Sequence, residues 1–170
     1  MKSNGSVYVA VVFAVLIGYF GYQWWWNPAR AVKRQLGELA AKLSAPANEA
    51  DLARVTRVVQ LRRYFAPDVR VQFGTGGPEI TSRDALLAAV STMRPPGGEW
   101  EVQFVDVQIK MDSSSASRAY MTVEVKGRDA RTGEPTVDAR EASVTLAKQN
   151  GDWVITTAES RETLATTPRP

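Results

Sequence analysis

Residues 6–26, SVYVAVVFAVLIGYFGYQWWW, contain no charged side chain and close on Trp24, Trp25 and Trp26. No other stretch limits the fold as tightly. At about 1.5 Å rise per residue, a helix of this length crosses the ~30 Å hydrocarbon core of a bilayer. The three tryptophans then fall at headgroup level and form an interface belt. The run predicts one transmembrane helix over 6–26, behind a short tail at 1–5, with a domain held against the membrane. Lipid is the first expected partner. Ala10, Ala14, Gly18 and Gly21 lie on one stripe of the run. Small residues at that spacing let helices pack closely in lipid, so a membrane-protein partner or a second copy is expected there. The plain alternative is that alanine and glycine are simply common in such helices.

A cleaved leader is the main competing reading. Its apolar core runs about 7–15 residues and ends in small residues. Here the run is longer, and tryptophans with Asn27-Pro28 occupy that place. Ala29-Arg30-Ala31 has the right outline but carries an arginine. A helix buried in a soluble core would need apolar partners on all sides, which the rest of the chain lacks.

Residues 27–170 suit one domain. The chain has 21 Lys and Arg against 18 Asp and Glu, and only Lys2 precedes the run. The remainder is nearly balanced, which argues against a nucleic-acid partner. Without cysteine there are no disulfides and no thiolate chemistry. Without histidine the usual general base, the Ser-His-Asp arrangement and most zinc sites are excluded. No cofactor or metal is expected.

Past Asn27-Pro28, Val32, Leu36, Leu39 and Leu43 repeat at helical spacing, and Ser44-Ala45-Pro46 ends that helix. Asn48 is placed to cap a second helix, with Leu52, Val55, Val58, Val59, Leu61 and Phe65 as its apolar face. Ala66-Pro67-Asp68 should stop it. Val69, Val71 and Phe73 alternate as a strand, a Gly/Pro turn follows at 74–78, and Ser82 can cap a third helix to about Met93. Of that helix Ala85, Leu86, Ala89 and Val90 should face in. From Trp100 the period is two. Its phase slips between Phe104 and Val105, which predicts a bulge and a bent sheet. Residues 116–126, 136–148 and 152–159 read as strands, the last two joined by Asn150-Gly151, a strong hairpin signal. Residues 163–170 read as a flexible tail.

The stretch RRYFAPDVRVQF (62–73), the glycine turn and TSRDALLAAV (81–90) resemble the nuclear-transport-factor-2-like (NTF2-like), or SnoaL-like, superfamily. Phe65, Asp68, Val69, Arg83, Asp84 and Ala85 match its pattern, Ser82 stands where a glycine is usual, and Gly151-Asp152-Trp153 resembles its ending. The resemblance implies an α+β domain over 27–162. In it three helices pack on a bent antiparallel sheet, forming a cone with a pocket. Its members include enzymes, ligand binders and assembly modules, and bacterial membrane-tethered members are often exported.

Asp84 is the sharpest candidate base, although a carboxylate in a first helical turn, paired with Arg83, has a structural reason to be there. Tyr64 and Tyr120 are candidate hydrogen-bond donors into the pocket, or else buried tyrosines with satisfied hydroxyls. Asp106 faces either the concave side or solvent, depending on the bulge. Asp138 and Glu141 lie on opposite faces of one strand and cannot share a cavity. Arg54, Arg57, Arg62 and Arg63 make the second helix basic, as a lipid-touching or a solvated face.

The reading favoured by the sequence is a membrane-anchored, non-catalytic binding or assembly module, an accessory subunit of a membrane complex. The alternative is an enzyme or carrier of the SnoaL or ketosteroid-isomerase type for a small apolar ligand in the cone. A cell inner membrane is the expected site. The signal-anchor pattern puts the domain on the periplasmic side. The count of Arg30, Lys33, Arg34 and Lys42 against Lys2 argues for the cytoplasmic side.

Overall fold

The computed structural model describes residues 14–15, 28–47, 49–74, 76–93 and 98–161. The run at 6–26 therefore lies outside the described residues, except for Ala14 and Val15, which are helical and exposed. Ala10, Gly18, Gly21 and Trp24, Trp25 and Trp26 lie outside with it. Among the described residues no helix is long and apolar enough to cross a membrane.

From Pro28 onward the elements are α1 (Pro28–Leu43), α2 (Asp51–Leu61), a 3-10 turn (Arg62–Tyr64), β1 (Phe65–Phe73), β2 (Glu79–Ile80) and α3 (Arg83–Thr92). Four long strands follow: β3 (Trp100–Met111), β4 (Ala116–Arg128), β5 (Pro135–Gln149) and β6 (Asp152–Arg161). They form one six-stranded sheet in the order β2-β1-β6-β5-β4-β3. The expected antiparallel sheet is corrected to a mixed one, because β1 runs parallel to β6, with Val71 opposite Ala158. A parallel pair needs a long crossover. Here α3 and four strands, β2 to β5, supply it.

α1 buries Val32, Leu36, Leu39 and Ala40 and lies against β3. The Ser44-Ala45-Pro46 stop also fastens the helix to the sheet. Ala45 and Trp100 exchange backbone hydrogen bonds of 3.0 Å, Val102 N donates to Ser44 Oγ at 2.9 Å, and Trp100 Nε1 donates to the Leu43 carbonyl at 2.8 Å.

α2 departs from expectation three times. Ala50, not Asn48, holds the N-cap position, and no side chain caps it; Asn48 itself lies outside the described residues. The helix ends at Leu61, and Phe65 opens β1 instead. Pro67 then sits inside β1, where the register with β6 shifts between Phe65 and Arg70. A proline that cannot donate to the ladder is tolerated at such an irregularity. Finally, the predicted apolar face is not a core face. Leu61 is fully buried and Val58 partly so, but Leu52, Val55 and Val59 are 78 %, 57 % and 64 % exposed. α2 is held through Arg57, Val58 and Leu61, and no described element covers the face of Leu52, Val55 and Val59.

α3 is capped as expected, Ala85 N donating to Ser82 Oγ at 3.3 Å. Its buried residues are Leu86 and Leu87, while Ala85 is exposed. In the turn before it, a Cβ on Gly77 would lie 1.7 Å from the Phe73 carbonyl oxygen, so only glycine fits. The β3 bulge falls one to two residues later than predicted. Val105 still pairs with Thr122, and the register shifts before Gln108. Asp106 takes the positive φ of 53°, a conformation aspartate tolerates and β-branched Val105 does not. Asn150 and Gly151 turn at φ 52° and 95°, as a two-residue hairpin requires.

Candidate functional site

The bulge decides which side chains face the helices. Before it Phe104 points inward, and after it Val107, Ile109 and Met111 do, all packed against the core. The strand register then sets rows across this inner face. Ile109, Ala119, Val144 and Ala158 form one row, with Val71 at its end. The next holds Met121, Ala142, Ser160 and Phe73. Beyond it come Phe104, Val123 and Arg140, then Val102, Val125 and Asp138. The face thus passes from wholly apolar to charged along the length of the sheet.

Between this face and α1 lies a cavity of about 500 Å³. Leu36, Leu39 and Leu43 line it from the helix, Phe65, Met121, Val123, Val144 and Ile155 from the sheet, and Met93 from the end of α3. Its polar lining is confined to Gln72, Asp138, Arg140, Glu159 and Ser160. Asp138 and Arg140 are exposed and ion-paired at 3.1 Å, and Glu159 is exposed too. An apolar bore with a charged mouth binds apolar matter and orients it by its polar end. The inner-face alternation of β4 and β5 carried the signal for these lining residues. Their convergence with α1 depends on packing that no single segment encodes.

The candidates from the sequence do not meet in this cavity. Tyr64 is buried elsewhere, against α1. Its hydroxyl stands 2.5 Å from Arg63 Nη2 and 3.5 Å from Glu38 Oε2. It borders a groove of about 270 Å³ with Glu38, Arg63 and Trp153. Asp84 is exposed on the first turn of α3 and pairs at 3.3 Å with Arg62, not with the expected Arg83. Arg83 instead donates to the Phe65 carbonyl at 3.3 Å. Tyr120 is neither buried nor in the cone. It lies 46 % exposed on the outer face of the sheet. There it lines a polar groove of about 490 Å³ with Asp106, Gln108, Glu141 and Arg161. Asp138 and Glu141 do take opposite faces. The arginines of α2 and the turn after it are all ion-paired, Arg54 to Asp51, Arg57 to Glu49, Arg62 to Asp84 and Arg63 to Glu38. Glu49 accepts two bonds from Arg57, at 2.8 and 2.9 Å. That hydrogen bonding, with the charge of Arg57 and then Arg54, holds its carboxyl below the usual range. Among the described residues no cluster of three or more acidic side chains is arranged to hold a metal.

Helices α1 to α3 over one face of a bent six-stranded mixed sheet, enclosing an apolar cavity, define an α+β cone of NTF2-like fold. The model of the SnoaL-like domain matches residues 51–159, and the chain belongs to that family. Solved structures agree on the fold. A proposed scytalone dehydratase from Novosphingobium aromaticivorans superposes with a TM-score of 0.64 at 17 % identity, covering 81 % of this chain and 85 % of that one. An NTF2-like protein of cystatin-like fold from Novosphingobium aromaticivorans gives 0.60 at 13 %, covering 80 % and 84 %. ActVI-ORFA from Streptomyces coelicolor gives 0.62 at 12 %, covering 79 % and 96 %. No curated protein matches the chain.

Proposed function

We propose that the cone binds a small apolar molecule without acid–base chemistry, and that residues 6–26 hold this binding module at a membrane, where such molecules concentrate. One observation carries the reading: the cavity of about 500 Å³ is apolar except at its mouth. Its size falls within the range of small-molecule sites. Acid–base catalysis would ask for a carboxyl and a second proton donor converging inside it. Here the tyrosine candidates lie outside the cavity, and its carboxylates stand in solvent at the rim. The likeness to a proposed dehydratase favours a small-molecule occupant over a purely protein-docking role. Lipid and a partner for the small-residue stripe belong to the same proposal. The test titrates the fragment 28–170 with an uncharged apolar fluorophore. Saturable binding should be lost in Ala142→Trp, which fills the cavity, and retained in Tyr120→Phe on the outer face. Equal binding by both variants would sink the proposal. Turnover of a dehydratase or isomerase substrate that depends on Asp138 or Glu159 would replace binding with catalysis.

A further inference from the structure

α1 and α2 concentrate positive charge. Residues 28–64 hold eight Lys and Arg against three acidic residues, Glu38, Glu49 and Asp51, whereas residues 65–170 hold twelve against fifteen. The helix pair is thus net +5 and the rest of the domain net −3. The basic part is also the part joined to the uncharged run at 6–26, with Asn27 alone between Trp26 and Pro28. α2 returns antiparallel to α1. Arg57 donates to the Lys42 carbonyl, Arg63 pairs with Glu38, and Tyr64 shares a groove with Ala31 and Arg34 near the start of α1. α2 is apolar on two sides. Val58 and Leu61 pack against the core. Leu52, Val55 and Val59, spaced three and four residues apart, lie along the opposite side and stand mostly in solvent. Beside them the Thr56 hydroxyl donates to the Leu52 carbonyl at 2.9 Å. At the end of the stripe stand Arg62 and Arg63, both with side chains more than half exposed.

We propose that α2 lies on an anionic lipid surface, with Leu52, Val55 and Val59 in the headgroup region and Arg62 and Arg63 at the phosphates. The proposal rests on the membrane placement proposed for residues 6–26 and adds a second contact with the same bilayer. A helix of 11 residues is too short to cross a membrane, but one apolar stripe with a cationic flank suits a helix lying in the interface. Charge selects the occupant. A helix pair of net +5 is drawn to an anionic surface and repels a second copy of itself. Arginine stems cover apolar surface while the guanidinium stays at the level of water and phosphate. The partners of these two arginines, Asp84 and Glu38, are themselves at least half exposed. Such pairs contribute little, so phosphate oxygens can replace them. Asp51, the acidic residue within α2, is already bonded to Arg54 at 2.7 Å and stands at the far end from Arg62. Position supplies the rest. The one-residue link holds the start of α1 at the bilayer, and α1 is only about 24 Å long. A tether of that reach raises the effective concentration of lipid at α2, so the contact needs little affinity of its own.

The chain has no cysteine, so one introduced thiol carries one fluorophore. Val55→Cys, Val59→Cys and, as control, Tyr120→Cys on the outer face of the sheet are labelled in the full chain. Each is reconstituted into vesicles of phosphatidylcholine and phosphatidylglycerol in which some lipids carry a spin-label quencher on the acyl chain. Flotation with the vesicles reads the apolar run, and quenching reads α2. The labels at 55 and 59 should be quenched about threefold or more over the label at 120, as burial some 5–10 Å into the interface requires. That excess should fall by about half or more in vesicles of phosphatidylcholine alone. An excess independent of lipid charge would overturn the choice of an anionic surface. A chain that floats but shows no excess at 55 or 59 would overturn the docking of α2 and leave the anchor standing. A chain that does not float would overturn both. Disulfide-linked dimers of unlabelled Val55→Cys on the vesicles would overturn the proposal in favour of a second copy on the stripe.

Discussion

α1 and α2 carry apolar stripes of equal regularity, and only one stripe is covered. Val32, Leu36 and Leu39 of α1 are 0 %, 2 % and 3 % exposed, whereas Leu52, Val55 and Val59 of α2 are 78 %, 57 % and 64 % exposed. α1 lies along β3 and is held by its stripe. α2 is held by Leu61 and Val58 against the core, by Arg62 to Asp84 on α3, and by Arg57, which bonds Glu49 and, at 3.4 Å, the Lys42 carbonyl. Periodicity makes a helix amphipathic; whether the apolar face is buried depends on what else the chain brings to it.

The largest expected effect breaks the covered stripe. Leu36→Ala removes a side chain that packs between α1 and the sheet and also lines the cavity. A loss of about 2–5 kcal/mol is expected from lost burial and unfilled space. Urea unfolding followed by far-UV circular dichroism measures it. A loss under about 1 kcal/mol would mean the cavity wall tolerates collapse there and the stripe is not what holds α1.

The polar tether of α2 comes next. In Arg57→Met the Glu49 side chain, 12 % exposed beside Arg57, loses its partner. About 1–3 kcal/mol is expected at pH 7 for a half-buried charge left unpaired. The Glu49 carboxyl is lowered in the folded protein, chiefly by the Arg57 hydrogen bond. Its contribution is therefore complete above the unfolded glutamate's pKa of about 4.3 and is lost as pH falls through the lower folded value. The gap between wild type and variant should shrink from pH 7 to pH 3. A gap that is constant with pH would assign the tether to the Lys42 carbonyl instead.

Most of the fold could be read from local signals. Val32, Leu36 and Leu39, the Ser82 cap, the Asn150-Gly151 turn and the β3 phase slip each act within a few residues, and each leaves a trace in the sequence. Non-local features did not. β1 lies beside β6 because the chain returns after some eighty residues, and no pattern within either strand records that. The bulge was displaced because the deciding factor was which residue accepts a positive φ, and aspartate accepts it where valine does not. The cavity was legible as a pocket of the fold but not in its lining, since residues from α1, β1, β4 and β5 converge only on packing. Tyr64 and Asp84 show the same limit. Their chemistry was visible, but their partners, Glu38 and Arg62, were set by tertiary contacts.

The smallest expected effect tests the uncovered stripe. Val55→Ser with Val59→Ser changes two side chains that already stand mostly in solvent. Exposed positions without specific contacts shift stability by no more than about 0.5 kcal/mol, and part of any change comes from the lower helix propensity of serine against the cost of β-branching. The same double substitution on the α1 stripe would unfold the domain. If the α2 variant instead loses more than about 1 kcal/mol in the full chain but not in the fragment 28–170, then residues before Pro28, or a membrane they enter, cover this face. The contrast between the two helices would then belong to the domain alone and not to the whole protein.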